Sequence, residues 1–164
     1  MRNLIVFVVV ILFSASCSER EGVEINGVRW ATRNVDTPGT FVRNPSDAGG
    51  LFTWYAAQDA CPRGWRLPTI EELQSLRAAG SEWTVRNGVN GRTFGTTLNS
   101  LFLPAAGWRF AFDDSLSGMS ANGAYWSSTR NDAEEAVSLW FLRNFVSVHM
   151  HWRVSSRSVR CVAE

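Results

Sequence analysis

The sequence contains no lysine, since all sixteen of its basic residues are arginine. Fifteen Asp and Glu residues nearly balance them, and the formal net charge at pH 7 is only +1. A chain so close to neutrality has no electrostatic field to attract nucleic acid or an anionic membrane surface. We therefore expect no nucleic-acid partner. The exclusive use of arginine fits planar recognition of carboxylate or sulfate groups, but the base composition of a genome explains it more simply.

The sequence also lacks a hydrophobic run long enough to cross a bilayer. Its most apolar stretch, residues 4–13, is only about half the length that a spanning helix needs, which is ~20 residues. That length is typical of the hydrophobic region of a secretory signal peptide. The following residues 14–17, Ser-Ala-Ser-Cys, resemble the lipobox of bacterial lipoproteins, although Ser14 stands where Leu is usual. We predict a signal peptide over 1–16 and a lipidated Cys17; the alternative is an ordinary signal peptide with an incidental cysteine.

Cysteine is scarce, with three residues in the chain. If Cys17 carries the lipid, Cys61 and Cys161 remain, and two thiols left in an exported protein are expected to pair. Such a bridge closes a loop of about 100 residues, for which the chain-entropy model gives about 4.7 kcal/mol as an upper figure. The bridge would hold the C-terminus beside the centre of the chain.

The composition excludes a disordered chain. Of the 164 residues, 45% are hydrophobic and 12% aromatic, which leaves room for one domain with a real core. We assign residues 17–23 to the lipidated cysteine and a short tether, and residues 24–164 to the domain.

The central segment predicts a helix with defined ends. Thr69 and Glu72 have the spacing of a capping box, so the helix is expected to begin near residue 70. Gly80 supplies the left-handed residue that ends it. Ile70, Leu73 and Leu76 then lie on one buried face.

The rest of the chain predicts short strands. Asn26-Gly27 is a strong hairpin signal, and residues 51–60 fit either a strand end or a short helix capped by Thr53. After Gly80 we expect two loops and a short element. Alternating apolar residues predict a hairpin over 137–152, and residues 158–162 a closing strand. The predicted fold class is α+β, with at most two helices and about six short antiparallel strands joined by long loops.

Six motifs occur in the order found in one bacterial family. They are Asn26-Gly27-Val28-Arg29-Trp30-Ala31, Phe52-Thr53-Trp54, Cys61-Pro62-Arg63-Gly64-Trp65-Arg66-Leu67-Pro68-Thr69, Leu103-Pro104-Ala105-Ala106-Gly107-Trp108-Arg109, Tyr125-Trp126-Ser127-Ser128-Thr129 and Ser158-Val159-Arg160-Cys161. Together they span roughly residues 24–163 and strongly resemble the Fibrobacter succinogenes major paralogous domain. The resemblance implies a C-type-lectin-like single domain in a cell-surface lipoprotein of the Bacteroidetes type. It implies no established activity.

The resemblance does not extend to cofactor chemistry. C-type lectins often hold Ca²⁺ with Glu-Pro-Asn and Trp-Asn-Asp signatures, and neither is present, since Trp126 is followed by Ser127-Ser128. His149, His151 and Arg153 are expected on one exposed polar face of a strand. The two imidazoles could ligate a metal together, but no third ligand stands at a diagnostic spacing. No Gly-x-Ser-x-Gly elbow of a hydrolase occurs. We expect no cofactor, no metal and no catalysis.

The eight tryptophans are the remaining functional signal. Four lie within the family motifs and are expected in the core: Trp30, Trp54, Trp65 and Trp126. An exposed indole beside an arginine is a surface that stacks on a sugar ring or anchors a protein. The candidate ligand-binding residues on this basis are Trp108, Arg109, Trp140, Trp152 and Arg153. We interpret the chain as a non-catalytic binding module for a glycan or an extracellular protein, lipid-anchored in the cell envelope at the outer membrane or cell surface. The alternatives are an accessory subunit of a surface assembly and, third, an enzyme.

Overall fold

The computed structural model describes residues 22–164. The predicted signal peptide and the predicted lipid attachment at Cys17 lie outside the described residues. The first strand begins at Gly22 and so includes the last two residues of the predicted tether. Within residues 22–164 no helix is long and apolar enough to cross a membrane.

The described part of the chain contains two helices and fourteen strands, more strands than the sequence predicted. The helices are α1 (Trp54–Ala57) and α2 (Ile70–Ala78). The strands are β1 (Gly22–Ile25), β2 (Val28–Ala31), β3 (Phe52–Thr53), β4 (Trp65–Arg66), β5 (Ser81–Arg86), β6 (Val89–Gly95), β7 (Ser100–Pro104), β8 (Trp108–Arg109), β9 (Leu116–Ser117), β10 (Gly123–Arg130), β11 (Glu135–Leu142), β12 (Phe145–Trp152), β13 (Ser156–Arg157) and β14 (Val162–Ala163). Six strands have only two residues, too short to show a period-2 pattern in the sequence.

The strands form four small sheets, and neighbours within each sheet run antiparallel. Their orders are β1-β2-β14-β4, β5-β6-β7, β10-β11-β12 and β3-β13-β8-β9. Two of the sheets are simple meanders, whereas the other two combine strands that are distant in the sequence. The architecture is therefore mostly small antiparallel sheets with two short helices. It is compatible with the predicted α+β class and also with a mostly-β description.

The ends of α2 confirm the prediction from its capping residues. The Glu72 amide donates to Thr69 Oγ1 at 3.3 Å, and the Thr69 amide donates to Glu72 Oε2 at 2.7 Å. Gly80 follows the helix with a φ of +79°, the left-handed conformation that glycine adopts at low cost. Leu73 and Leu76 are buried in the core as expected, whereas Ile70, in the first turn, is only partly buried.

The predicted disulfide joins Cys61 to Cys161, with 6.0 Å between their Cα atoms. It lies where β14 pairs with both β2 and β4, so it fastens the end of the chain to the segment that precedes α2. We call this region, made of β2, β4, β14 and the bridge, the disulfide corner.

Two hairpins agree with the sequence, and a third was missed. Asn26 and Gly27 both have positive φ and join β1 to β2, while β11 and β12 pair along their full length. The prediction of loops after Gly80 was wrong, because β5 and β6 form a regular hairpin around Asn87-Gly88. That dipeptide carries the same turn signal as Asn26-Gly27, and it joins two strands that are rich in polar residues.

Two other predicted segments differ in detail. Residues 51–60 contain both the strand end and the short helix that were predicted as alternatives, because β3 leads directly into α1. The Ala56 amide donates to Thr53 Oγ1, so Thr53 caps this helix. The prediction of a single closing strand over 158–162 was wrong. Between β13 and β14 the backbone bonds three partners in turn: Ser158 is joined to β10, the Val159 carbonyl accepts from the Val35 amide, and the Cys161 carbonyl accepts from the Ala31 amide of β2.

The sheet β10-β11-β12 separates two clusters of buried side chains. On one face Tyr125 and Leu139 pack with α2, and on the other face Trp126 and Ala136 pack with α1 and residue Phe52 of β3. This division follows the alternation of side chains along each strand. Among the tryptophans expected in the core, Trp30 and Trp126 are fully buried, whereas Trp54 and Trp65 are partly buried.

Candidate functional site

Three of the predicted ligand-binding residues line one depression. Trp108 of β8, Trp140 of β11 and Trp152 of β12 lie around an open volume of about 390 Å³. They are widely separated in the sequence and belong to two different sheets. We call this volume the aromatic depression.

The depression lies where the sheet β3-β13-β8-β9 meets the Trp126 face of β10-β11-β12. Strand pairing sets Trp126 against Ser138 and Ala136 against His151, so Trp140 and His151 project from the same face as Trp126. Ser156 of β13 pairs with Arg109 of β8, which brings the neighbouring Arg157 beside Trp108.

Arg157 is the positively charged group of the depression, and it is only 3% exposed. Its guanidinium carbon lies 4.9 Å from the ring centroid of Trp126 and 5.5 Å from that of Trp108. Trp126 is itself fixed, because its Nε1 donates to the Phe52 carbonyl at 2.8 Å. The two indoles therefore hold the guanidinium in place through cation–π contacts.

No polar group of residues 22–164 compensates the charge of Arg157. Its Nε is buried without a hydrogen-bond partner, and the ion pairs between described residues involve other arginines. Glu135 also lines the depression, but its carboxylate accepts from Asn131 Nδ2 at 3.4 Å. Burial lowers the pKa of Arg157 to about 9, so the side chain is still cationic at pH 7.

His151 adds a neutral polar group to the wall. Burial, followed by the positive charge of Arg157, lowers the pKa of His151 to about 4. Its Nδ1 lies 3.0 Å from Ser138 Oγ. At pH 7 the uncharged ring therefore has one nitrogen that donates and one that accepts.

The serine beside His151 does not reach the depression. Ser138 is fully buried, and among the described residues no carboxylate hydrogen-bonds the His151 ring. In the same part of the chain, no group of three or more His, Cys, Asp and Glu side chains is placed to hold a metal ion.

The two arginines predicted from the sequence lie outside the depression. Arg109 projects toward the following loop, where its Nη1 donates to the Asp114 carbonyl at 2.8 Å and lies 3.5 Å from the Asp114 carboxylate. Arg153 follows the end of β12, and its buried guanidinium covers the rings of Trp54 and Tyr55. Its side chain therefore does not share the exposed face of His149 and His151 that the sequence suggested.

Exposed apolar side chains continue from Trp152 into a second, smaller depression of about 280 Å³. Phe112 is 81% exposed and meets Trp152 edge to face, with 5.5 Å between ring centroids. Tyr55 and Val154 complete this surface, and both are more than half exposed. Contiguous exposed apolar side chains of this kind mark interaction surfaces.

The sequence did not single out Arg157 or Phe110 of this site. Phe110 packs on Trp108 with 4.1 Å between ring centroids. Arg157 stands in a polar C-terminal run without a motif of its own, and its position depends on the pairing of β13 with β8. Comparison with models of known families, with curated proteins and with solved structures found no match.

Proposed function

We propose that this chain is a non-catalytic binding module that takes a glycan in the aromatic depression. The observation that carries the proposal is the convergence of Trp108, Trp140 and Trp152 from three strands on one concave surface. The C–H face of a pyranose ring packs on an indole, and its hydroxyl edge requires polar partners such as His151. The volume of about 390 Å³ falls within the range of small-ligand sites, roughly 300–1,000 Å³.

The aromatic side chains are supported in their positions before any ligand arrives. Trp140 has edge-to-face contacts with Phe145 at 5.9 Å and with His151 at 6.4 Å. Trp108 is held between Phe110 and Arg157. Rings supported in this way lose little conformational entropy on binding, which favours affinity.

The proposal places the module on the outside of the cell. Residues 24–164 would form a C-type-lectin-like domain of the Fibrobacter succinogenes major paralogous type, with Cys17 lipidated at the outer membrane or cell surface. The sequence motifs support this placement. Mass spectrometry of the N-terminal peptide from the membrane fraction tests it, and a peptide that begins at an unlipidated Cys17 would overturn the anchor.

The test of glycan binding uses the full-length protein purified in a mild detergent and applied to a broad glycan array. Trp108→Ala, Trp140→Ala and Trp152→Ala variants that remain folded are each expected to weaken binding by about tenfold or more. Leu98→Ala is the matched control, because Leu98 is 94% exposed and does not line the depression. Binding that all three tryptophan variants retain would refute this site.

A second function, an accessory subunit of a surface assembly, is favoured by the exposure of Phe112. A side chain of this size that is 81% exposed beside Trp152 fits a protein contact better than a monosaccharide site. Crosslinking of intact cells tests it. Two results together would favour the subunit over the glycan-binding module. The protein would bind nothing on the glycan array, and a crosslink to a protein partner would disappear in Phe112→Ser.

A further inference from the structure

We propose that the glycan bound in the aromatic depression is acidic and that Arg157 pairs with its anionic group. This inference rests on the proposed function and adds the chemical class of the ligand. It is carried by a buried cation that borders the depression and finds no anion among residues 22–164.

The position of Arg157 makes it a binding group rather than a brace of the fold. Buried charges are ordinarily paired or fully hydrogen-bonded, because desolvation of a lone charge is costly. Arg157 instead has a buried Nε without a partner, and it contacts the faces of Trp108 and Trp126. Cation–π contacts occupy the faces of a guanidinium and leave its N–H edge available. In Arg157 that edge is not used by any described residue.

The free edge of a guanidinium matches a group with two anionic oxygens. Carboxylates and sulfates both accept paired N–H donors of arginine, and a carboxylate does so in the plane of the guanidinium. An acidic sugar supplies such a group on a ring whose C–H face can pack on Trp108 or Trp140. Neutral sugars lack it and would leave the charge of Arg157 uncompensated.

The other titratable groups of the depression are consistent with an anionic ligand. His151 has its pKa lowered to about 4 and is neutral at pH 7, so it adds a hydrogen-bond donor without a second charge. Glu135 is the carboxylate among the lining residues and would repel the anion if the two approached closely. The ligand is therefore expected to place its anionic group on the Arg157 side and neutral hydroxyls toward Glu135.

The first test needs no variant. An array of uronate-containing, sulfated and neutral polysaccharides first identifies the sugar backbone that binds most tightly. Full-length protein in detergent is then titrated calorimetrically with oligogalacturonate, its methyl ester, galacto-oligosaccharide and sulfated galactan oligomers. The charged forms are expected to bind at least about tenfold more tightly than the ester and the neutral sugar. A preference for the uronate and a preference for the sulfate would each support the inference. Which of the two binds more tightly identifies whether the anionic group is a carboxylate or a sulfate.

The second test removes the charge from the protein. Arg157→Gln should lower the affinity for the acidic sugar by about tenfold or more, and its affinity for the methyl ester should stay within about twofold of the parent's. Arg157→Lys keeps the charge and should restore part of the lost affinity. Arg63→Gln is the control, since Arg63 is exposed and outside the depression and the change in net charge is the same.

The outcomes separate the two proposals. Equal affinity for charged and neutral sugars, lost in the Trp108→Ala variant, would overturn the inference about Arg157 and leave the glycan-binding function intact. Silence of folded protein across acidic, sulfated and neutral arrays would overturn both. If Arg157→Gln does not fold, the comparison of oligogalacturonate with its methyl ester on the parent protein still decides the inference.

Discussion

The disulfide corner and the aromatic depression each contain a buried arginine from the same C-terminal segment, but the two side chains have opposite surroundings. Arg160 donates from Nε to Asn34 Oδ1 at 2.9 Å and from Nη1 to the Ala31 carbonyl at 3.0 Å. Its second terminal nitrogen has no partner, yet most of its polar edge is used within the fold. The guanidinium of Arg157 makes no hydrogen bond with any residue of 22–164, and its neighbours are indole rings.

The difference indicates different uses of one residue type. In both cases burial lowers the pKa, to about 10 for Arg160 and about 9 for Arg157. Arg160 offsets the cost of burial by joining β2 to the segment before β14, so it serves the fold. Arg157 has no such compensation, and a binding site that is incomplete without its ligand explains it. Functional sites often contain such locally unfavourable arrangements.

The largest expected effect in the disulfide corner follows from removal of the bridge. A Cys61→Ser/Cys161→Ser protein should lose about 3–5 kcal/mol of unfolding free energy, since the bridge closes a loop with a sequence separation of 100. Urea unfolding of the oxidised parent and the double variant measures the loss, with the reduced parent as control. A loss below about 1 kcal/mol would mean that the corner does not depend on the bridge.

Removal of the Arg160 guanidinium is expected to have the next largest effect. Arg160→Met should cost about 2–4 kcal/mol, because it leaves Asn34 Oδ1 and the Ala31 carbonyl unpaired in a buried position. Asn34→Leu/Arg160→Met tests whether part of the cost comes from the orphaned acceptor. Asn34→Leu alone also loses the bonds from Nδ2 to the Ala48 carbonyl and the Tyr125 hydroxyl, so the double variant should lose less than the sum of the two single losses. A double variant as unstable as the sum of two independent losses would contradict the pairing.

Local signals explain how much of the fold around the disulfide corner could be predicted. The capping box of Thr69 and Glu72 and the turn at Asn26-Gly27 act within a few residues, and the pairing of Cys61 with Cys161 followed from having two cysteines left. The depression could be predicted only in part. Trp108, Trp140 and Trp152 were candidates by residue type, but the approach of Arg157 to Trp108 depends on a sheet order, β3-β13-β8-β9, that no local pattern encodes.

The same reasoning explains the errors in the fold. In β5 the alternation is confined to the five residues 82–86, β6 lacks the alternation that identifies a half-buried strand, and β13 and β14 are too short to show one. Arg153 was expected on the face of His149 and His151, but the strand ends at Trp152 and the chain turns its guanidinium onto Trp54 and Tyr55.

We expect His151, in the wall of the depression, to make the stability of the protein depend on pH. The folded pKa of His151 is lowered from 6.5 to about 4, so the unfolded chain binds a proton in this interval that the folded chain does not. Stability should therefore fall as the pH drops from about 6.5 to 4, by at most about 1.4 kcal/mol per pH unit for this proton. Urea unfolding of His151→Gln between these values should show a shallower slope, with His149→Gln as the control, because the His149 side chain is exposed. Identical slopes in the parent and His151→Gln would contradict the burial of this ring.

The smallest expected effect on stability is also the most direct test of the difference between the two arginines. Arg157→Met removes a buried charge without breaking a hydrogen bond, and it loses only cation–π contacts, worth about 0.5–2 kcal/mol. Relief of the desolvation penalty opposes that loss. The measurement is the free energy of unfolding of Arg157→Met beside Arg160→Met and the parent in one urea series. We predict that Arg157→Met lies within about 1 kcal/mol of the parent while Arg160→Met falls by at least about 2 kcal/mol. An Arg157→Met protein as unstable as Arg160→Met would show that Arg157 is a structural residue and would contradict its assignment to a ligand.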